Sequence, residues 1–391
     1  MRGRWTMLAI LFLVRTTMAV QFQSVASVAP LLSQDLGVGL ADIGILIGLY
    51  FAPGAALALP GGAIGHKIGD KAAVLAGLVL MLAGCAIVAL LTSWNGQVAG
   101  RLVAGVGGVL INVLMTKMVA DWFADRELST AMAIFINSWP AGIAISLLLL
   151  PPIGAAHGMI AVSVAVAALI TVGLVLLVAF YQTPATSAPT AAPRSRLDRK
   201  PALAVIVAGA IWALYNVGFA MVFSFGPSML VERGWSITAA GSTMSIVIWL
   251  SAISVLFGGF LADRTQRHDF LVVSCCIAYA MLLIWVARDG PIVSSIVALG
   301  LVCGLAAGPI MRLPALVLQP GARALGMGLF YTAFYVGMMV GPALGGRYAA
   351  WVGTAGAAFD FGAGALLVCP LILWVFRHTV QVGGPIAHSS R

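Results

Sequence analysis

The chain alternates between long apolar runs and short polar breaks from end to end. An apolar run of about eighteen residues or more is long enough to cross a bilayer as a helix. The pattern predicts an all-α polytopic membrane protein with twelve transmembrane helices. The predicted helices are about 7–32, 43–64, 72–91, 98–119, 130–151 and one ending near 181, then 202–225, 239–261, 270–286, 292–316, 327–350 and one ending near 376.

The polar breaks repeat at about half the length of the chain. Charged loops begin at Gly62 and Gly259, which are 197 residues apart, and Arg126 and Arg323 in two other breaks have the same spacing. This repeat predicts two pseudo-symmetric six-helix bundles. The predicted division is 1–182 for the N-terminal bundle, 183–201 for a flexible cytoplasmic linker rich in Pro, Ala, Ser and Thr, and 202–391 for the C-terminal bundle.

Composition agrees with this architecture and argues against other classes. Apolar residues make up 61% of the chain and charged residues 8%, with a mean hydropathy of +1.06, whereas soluble domains carry about 25% charged residues. The net charge of +9 lies in short loops rather than on one exposed face, which argues against a nucleic-acid partner. The five cysteines fall inside apolar runs without metal-ligand spacing, so no metal or cofactor is expected. No catalytic constellation appears in the apolar runs, so an enzyme is not expected.

The distribution of Lys and Arg predicts the orientation in the membrane. With both termini inside, fourteen Lys and Arg residues fall on the cytoplasmic side, against Arg233 and Arg288 outside and Arg347 near the outer edge. Cytoplasmic loops carry such an excess of basic residues. The sequence therefore predicts an integral protein of the plasma (bacterial inner) membrane with both termini in the cytoplasm and an uncleaved first helix. Nothing indicates an obligate oligomer, so a monomer surrounded by lipid is expected.

The two charged loops resemble a known family signature, Gly-x-x-x-Asp-Arg-x-Gly-Arg-Arg. The second copy keeps Gly259, Asp263, Arg264 and Arg267, and the first keeps Gly62, Lys67, Gly69 and Lys71. The copies depart from the signature at Gln266, which replaces the second Gly, and at His66, which replaces the Asp. Two such loops between helices 2 and 3 and between helices 8 and 9 resemble the major facilitator superfamily of secondary transporters.

The resemblance implies roles for several of these residues. In the superfamily these loops latch helices 2, 4 and 11 and stabilise one access state, whereas the alternative role is only to fix topology. Asp121, at the inner end of helix 4, is a possible partner for Lys67. The gating or structural set also includes Arg101 and Gly105, which resemble the helix-4 motif of the family, for which proton transfer and structural roles both stay open. Gly341 and Pro342 in helix 11 complete the set, with close helix packing and bending as their expected role.

Charged residues inside the membrane are costly and mark candidate sites. Arg15 and Arg312 lie within predicted helices, and Lys117 lies near an inner end, from which it can snorkel to the interface. Asp360 is the only carboxylate clearly inside an apolar run. Uncompensated arginine favours an anionic substrate, because its planar fork matches carboxylate, nitrate or phosphate. A proton relay would need a membrane Asp, Glu or His, so anion exchange or anion symport fits better.

Substrates of such transporters bind near the membrane midplane between the two halves. The alternative for each polar residue at this depth is an ordinary helix–helix hydrogen bond or packing contact. The candidate substrate-binding residues are Arg15, Gln23, Asn112, Asn137, Trp139, Asn216, Trp249 and Arg312.

The predicted function is therefore secondary active transport of a small solute by alternating access. The substrate is expected to be an anion, with a coupling ion or a counter-substrate as a candidate partner. Within the superfamily the chain most resembles the nitrate/nitrite, cyanate and organic-anion porters. Two alternatives stay open. One is an exporter of drugs or other apolar solutes, which the Met and Trp content allows. The other is a transporter-like receptor, although such proteins usually carry a longer soluble tail.

Overall fold

The computed structural model describes residues 2–58, 65, 68–123, 127–184, 198–288, 292–318 and 323–381, and all regular structure in these ranges is helical. Most of the predicted linker, 185–197, lies outside the described residues. The N-terminal bundle consists of α1 (Arg2–Ser27), α2 (Ala29–Leu36), α3 (Leu40–Leu49), α4 (Ala52–Leu57), α5 (Asp70–Leu90), α6 (Trp94–Trp122), α7 (Leu128–Ile136) and α8 (Ser138–Phe180). The C-terminal bundle consists of α9 (Arg199–Glu232), α10 (Ile237–Thr265), α11 (His268–Ala287), α12 (Ile292–Val302), α13 (Ala307–Arg312), a 3-10 turn (Leu313–Leu316), α14 (Arg323–Val352) and α15 (Ala357–Gln381).

The described residues contain eleven segments long and apolar enough to span a membrane. One of them, Thr130–Phe180, has 51 residues, whereas a single crossing takes about 20. Gly158 interrupts it with φ +77° and ψ −178°, a conformation that is accessible essentially only to glycine. The segment therefore makes two crossings, which brings the total to the predicted twelve.

Proline explains why three of the predicted helices are broken rather than continuous. Pro53 has no N–H to donate to the carbonyl of Leu49, where α3 ends, and Pro140 has none to donate to Ile136, where α7 ends. A turn at 303–306 likewise separates α12 from α13, just ahead of Pro309. Because each break lies in the interior of a membrane crossing, it exposes backbone carbonyls where polar groups are scarce.

The two bundles pack closely at one end of the molecule, here called the closed end. A Cβ atom added to Gly44 would overlap the carbonyl oxygen of Pro342, and one added to Gly48 would overlap that of Met339. Small residues allow helix backbones to approach in this way. The closed end is therefore formed by the glycine face of α3 seated on the backbone of α14.

Side-chain hydrogen bonds between described residues also join the bundles. They are Gln23 Nε2 to the Phe223 carbonyl (2.7 Å), Ser245 Oγ to the Ala144 carbonyl (2.9 Å) and Asn112 Nδ2 to the Tyr335 hydroxyl (2.8 Å). Asn112 lies ten residues before the end of α6, about 15 Å from that end at 1.5 Å per residue. The Asn112–Tyr335 bond is thus the one nearest the opposite end of the molecule, here called the open end, where α5 and α11 begin.

Candidate functional site

Arg15 lies in the middle of α1, thirteen residues from Arg2 and twelve from Ser27. Its Nε and Nη2 atoms donate to Asn112 Oδ1 at 3.2 and 3.0 Å. Its Nη1 atom faces the carbonyl oxygens of Phe135 (3.1 Å) and Ile136 (3.3 Å) and the hydroxyl of Ser138 (3.2 Å). Arg15 is therefore fixed between α6 and the break that separates α7 from α8.

The local sequence of that break explains why carbonyls are available to Arg15. Pro140 cannot donate to the Ile136 carbonyl, which leaves this oxygen without its usual helical partner. The guanidinium also lies over the ring of Phe135, with 4.8 Å from Cζ to the ring centroid, a favourable cation–π geometry. The helix break at Trp139-Pro140 thus supplies oxygen atoms that bind the Nη1 side of the Arg15 guanidinium.

The charge of Arg15 is not balanced by a carboxylate among the described residues. All four of its hydrogen-bond acceptors are neutral, namely one amide, two carbonyls and one hydroxyl. Two phenols lie next to the cluster, because Tyr335 accepts from Asn112 and both Tyr331 and Tyr335 pack against Phe334. A half-buried cation surrounded by neutral donors and acceptors favours an anion as its counter-charge.

An aromatic layer lies beside this polar cluster and crosses between the bundles. Trp139 stacks on Phe22 with 5.1 Å between ring centroids, and Phe51 contacts Phe334 at 6.0 Å and Tyr335 at 6.1 Å. Such rings bury a large apolar surface and prefer offset or edge-to-face packing. The layer therefore places apolar walls next to the Arg15–Asn112–Tyr335 cluster.

The remaining polar candidates are engaged in helix contacts. Gln23 is fully buried and joins α1 to α9 through its bond to Phe223, while its Oε1 has no partner among the described residues. Asn137 and Asn216 each donate to a carbonyl four residues earlier in their own helix, at 2.9 and 2.8 Å. The structure does not place Asn137 and Asn216 among the partners of Arg15, and they fit the predicted alternative of ordinary helix contacts.

Two candidates lie elsewhere. The side chain of Trp249 is 47% exposed and shares an outward apolar stripe of α10 with Ile246 and Ile253, so it faces the surroundings of the bundle. Arg312 is exposed at the end of α13 and makes no hydrogen bond or ion pair with the described residues. The structure therefore does not bring Trp249 or Arg312 into the Arg15 cluster.

Arg101 is buried and bound to backbone, which supports the structural alternative for this residue. It donates to the carbonyls of Leu46 (3.1 Å), Gln21 (3.0 Å) and Phe22 (2.8 Å), and its guanidinium lies over the ring of Tyr50 at 4.8 Å. One side chain of α6 thus fastens α1 and α3 together. Gly105, one turn further along α6, allows this approach because a Cβ there would overlap the Tyr50 carbonyl.

Replacing Arg101 by Leu is expected to destabilise the fold. Hydrogen bonds to charged groups contribute about 1.5–3 kcal/mol each, and we expect the free energy of unfolding to fall by on the order of 2–3 kcal/mol in chemical denaturation of the purified protein. The matched control is Arg288→Ala. Arg288 forms an exposed ion pair with Asp360 at 3.1 Å, and such pairs contribute about 1 kcal/mol or less. Equal effects of the two substitutions would contradict the structural role.

The two signature loops both have a positive φ at the glycine position of the motif. Gly69 has φ +87° and ψ 141°, whereas Gln266, which replaces the glycine in the second loop, has φ +55° and ψ 13°, in the left-handed helical region. A positive φ favours glycine at both places, although the two backbone conformations differ. Gly62 and Lys67 lie outside the described residues, and Asp263, Arg264 and Arg267 are exposed at the open end. The gating role of these residues stays a prediction.

Charged side chains of the first loop region pair within the N-terminal bundle. Lys117 forms ion pairs with Asp70, at the start of α5, and with Asp121 at 3.5 Å. Lys71 donates to the carbonyls of Tyr181 (2.8 Å) and Val178 (3.3 Å) at the end of α8, where a cation is favoured by the helix dipole. Asp121 therefore has Lys117 as a partner, while the predicted partner Lys67 lies outside the described residues.

The glycines of helix 11 and of the second loop differ in what they touch. A Cβ at Gly341 would press on the Val217 side chain of α9, and the Pro342 carbonyl faces Gly44 of α3. Gly259 in α10 has open space around it. The Gly341-Pro342 pair therefore lies where α14 contacts both bundles, as close helix packing predicts.

The cluster includes residues that sequence reasoning did not select, namely Ser138, Tyr335 and the aromatic residues Phe22, Phe51 and Phe334. Tyr335 is bound to Asn112 although 223 positions separate them, and nothing in the sequence pairs the two. Pro140 is the sequence feature that indicates a helix break at this place, and with it the Ser138 hydroxyl and the carbonyls that bind Arg15.

Comparison with known proteins agrees with the geometry. The family model for the Major Facilitator Superfamily matches residues 11–291 and 213–389. The chain is 25% identical to the inner membrane transport protein YajR of Escherichia coli K12, over 91% of this chain and 78% of that protein. It is 24% identical to a hexuronate transporter of Bacillus subtilis 168 (72% of each chain) and 24% identical to probable anion transporter 5 of Arabidopsis thaliana (80% of each chain).

A solved structure has the same fold. It is a bacterial homologue of the human lysosomal transporter Spinster in an inward-facing, unoccupied conformation, with a TM-score of 0.76, 14% sequence identity and coverage of 97% of this chain and 96% of that one. Twelve crossings in two bundles, the paired loops and a family match that extends over nearly the whole chain all agree. This chain is an integral membrane protein that belongs to the Major Facilitator Superfamily.

Proposed function

We propose that the protein is a secondary transporter of a small organic anion, bound through Arg15 between the two bundles. The observation that carries this proposal is the uncompensated guanidinium at mid-helix depth, with only neutral acceptors around it. A permanently charged side chain at this depth is expensive and is by default a candidate for contact with a substrate. An anion that binds Arg15 supplies the missing counter-charge.

The surroundings of Arg15 favour a monocarboxylate that also carries hydroxyl groups. Arg15 is the one cation in the described cluster, which suits a single negative charge. Asn112, Ser138, Tyr331 and Tyr335 are neutral groups that can exchange hydrogen bonds with hydroxyls, and the aromatic layer offers flat apolar surfaces. A sugar acid has these features, and relatives named hexuronate transporter and probable anion transporter support the choice.

We also propose that the open end faces the cytoplasm, with both termini on that side. Basic residues are concentrated at the open end, as the positive-inside rule requires for a cytoplasmic surface. The described basic residues near the open end include Arg4, Lys71, Lys117, Arg264, Arg267 and Arg377, whereas Arg233, Arg288 and Arg347 lie near the closed end. In this orientation the substrate reaches Arg15 from the cytoplasmic side when the bundles separate at the open end.

Thermal stabilisation of the purified protein tests the anion proposal. A ligand that binds only the folded state stabilises it by mass action, by about 2.7 kcal/mol at a concentration one hundred times Kd. We expect D-glucuronate to raise Tm, with D-glucose as the neutral control of the same ring shape and tetraphenylphosphonium as a cationic, apolar probe. Neither control is expected to raise Tm.

The opposite pattern would overturn the proposal. Stabilisation by tetraphenylphosphonium or by neutral amphiphiles, with no response to glucuronate, nitrate, gluconate or phosphate, would favour an exporter of apolar solutes that binds the aromatic layer. Stabilisation by gluconate or nitrate but not by glucuronate would keep the anion class and change the substrate within it.

A further inference from the structure

Among the described residues, Asn112 is the side chain that hydrogen-bonds both to Arg15 and to the opposite bundle. Its Oδ1 accepts from Arg15 Nε (3.2 Å) and Nη2 (3.0 Å), and its Nδ2 donates to the Tyr335 hydroxyl (2.8 Å). A single amide therefore connects the cation of α1 with α14. Any change in what Arg15 binds must act on the link between the bundles.

The guanidinium of Arg15 has only one edge on which an anion can bind through two hydrogen bonds. A carboxylate binds arginine either across Nη1 and Nη2 or across Nε and Nη2. The Nη1 atom already faces three acceptors, from Phe135, Ile136 and Ser138, so the first edge is occupied by backbone and hydroxyl oxygens. The second edge, Nε and Nη2, is the one that Asn112 Oδ1 occupies in this conformation.

We propose that Asn112 is a positioning residue that takes the place of the substrate anion in the empty transporter. This inference rests on the proposed function. An anion that binds the Nε–Nη2 edge displaces Asn112 Oδ1, and the displaced amide no longer donates to Tyr335. Substrate binding and the release of the Asn112–Tyr335 link are then one event, which couples occupancy of the site to movement of the bundles.

The exchange of partners is favourable for the anion and leaves both the Arg15 guanidinium and the Tyr335 hydroxyl with a partner. Arg15 replaces a neutral oxygen with a charged one, and hydrogen bonds to charged partners are about twice as strong. The Tyr335 hydroxyl, released from Asn112, is free to donate to the bound anion. The exchange costs the hydrogen bonds that Asn112 makes to Arg15 and to Tyr335. Asn112 therefore lowers the affinity for the anion, and it also couples anion binding to movement of the bundles.

The decisive variant is Asn112→Ala. Because it removes the competitor for the Nε–Nη2 edge, we expect it to bind D-glucuronate on the order of tenfold more tightly than the wild type, by isothermal titration of the purified protein. A residue that contacted the substrate directly, or that had only a structural role, would weaken binding or leave it unchanged when removed. The rise in affinity therefore separates the proposed role from both.

Two further variants test separately whether Asn112 competes with the anion for Arg15 and whether its bond to Tyr335 links the bundles. Asn112→Asp keeps the size of the side chain and pairs its carboxylate with Arg15, so we expect glucuronate affinity to fall at least tenfold without a fall in Tm. Tyr335→Phe removes the link but leaves the amide on Arg15, and it also removes a hydroxyl that can donate to the bound anion, so we expect glucuronate affinity to show none of the tenfold rise of Asn112→Ala.

The link itself can be followed by the distance between spin labels at the open end. Ile68 and Leu325 are exposed there, one in each bundle, and the cysteines in the described residues are all buried, so labels on Ile68→Cys and Leu325→Cys report on the bundles. We expect glucuronate to shift the distance distribution of the otherwise wild-type protein. Both Asn112→Ala and Tyr335→Phe should shift it in part before any ligand is added.

The outcomes distinguish this inference from the proposed function. If the wild type binds glucuronate and Asn112→Ala, with an unchanged Tm, binds it equally or more weakly, Asn112 is not a placeholder and the inference fails alone. If label distances in Tyr335→Phe match those of the wild type, the link does not hold the bundles and the inference also fails. If the wild type binds neither glucuronate nor any other anion of the panel, the proposed function fails, and this inference fails with it.

Discussion

Replacing Arg15 by Gln is expected to lower the affinity for D-glucuronate, and its uptake into proteoliposomes, by about 100-fold or more. The variant loses the charge and the two-pronged fork, and charge-assisted hydrogen bonds contribute about 1.5–3 kcal/mol each, so that two of them correspond to this factor. Arg15→Lys keeps the charge but offers a point donor instead of a planar fork, and we expect it to recover only a small part of the loss.

The control for Arg15 is an arginine outside the cluster. Arg347 of α14 is exposed near the closed end, and we expect Arg347→Gln to transport glucuronate at a rate within twofold of the wild type. Both variants should stay folded in the absence of ligand, because Arg15→Gln removes a buried charge together with the hydrogen bonds that this charge makes to neutral acceptors. Wild-type binding by a folded Arg15→Gln would remove the basis of the anion proposal.

Depth in the membrane could be predicted from the sequence, because it needs only a count along each apolar run at 1.5 Å per residue. Arg15 and Asn112 are expected near the middle of their helices, and both are there. Their pairing could not be predicted. An error of one residue in helical phase turns a side chain by about 100°, and 97 positions separate the two. Only the packing of α1 against α6 fixes which polar groups meet.

Arg101 and Trp249 show a second limit of sequence reasoning. Arg101 and Arg15 look alike in a hydropathy profile, since each is an arginine within an apolar run. The difference is in the acceptors, because Arg101 binds three carbonyls on two helices, whereas Arg15 keeps an edge that only a side-chain amide occupies. Trp249 has the depth expected of a binding residue, but the rotation of α10 directs it outward, and rotation is set by the neighbouring helices.

The breaks in the helices indicate the position of the site better than the apolar content of the helices does. Pro53 and Pro140 both interrupt helices next to the Arg15 cluster, and each leaves a carbonyl without its helical donor. Irregular backbone at membrane depth is tolerated where it faces a cavity or finds other partners. The site is thus built where two such breaks lie close to a cation. Pro227, Pro342 and Pro370 lie inside continuous helices, so a proline indicates the site only where it accompanies a helix break.

Replacing Gly48 by Leu is expected to prevent the bundles from packing together at the closed end and to reduce glucuronate transport by about 10- to 100-fold. The Cα of Gly48 lies so close to the Met339 carbonyl that any Cβ would overlap it, and a backbone carbonyl cannot rotate away as a side chain can. Overpacking of this kind typically costs 1–3 kcal/mol, which shifts the balance between the two access states by a corresponding factor. The transport cycle then stops in the access state in which α3 and α14 are separated at this end.

Spin labels at the closed end measure the effect directly. Gln34 and Trp351 are exposed there, one in each bundle, and we expect the distance between labels on Gln34→Cys and Trp351→Cys to lengthen in Gly48→Leu. The control is Gly364→Ala in α15, since a Cβ at Gly364 meets nothing within 4 Å and alanine favours a helix by roughly 0.5–1 kcal/mol over glycine. A Gly48→Leu protein with wild-type label distances and wild-type transport would mean that α3 and α14 need not meet during the cycle.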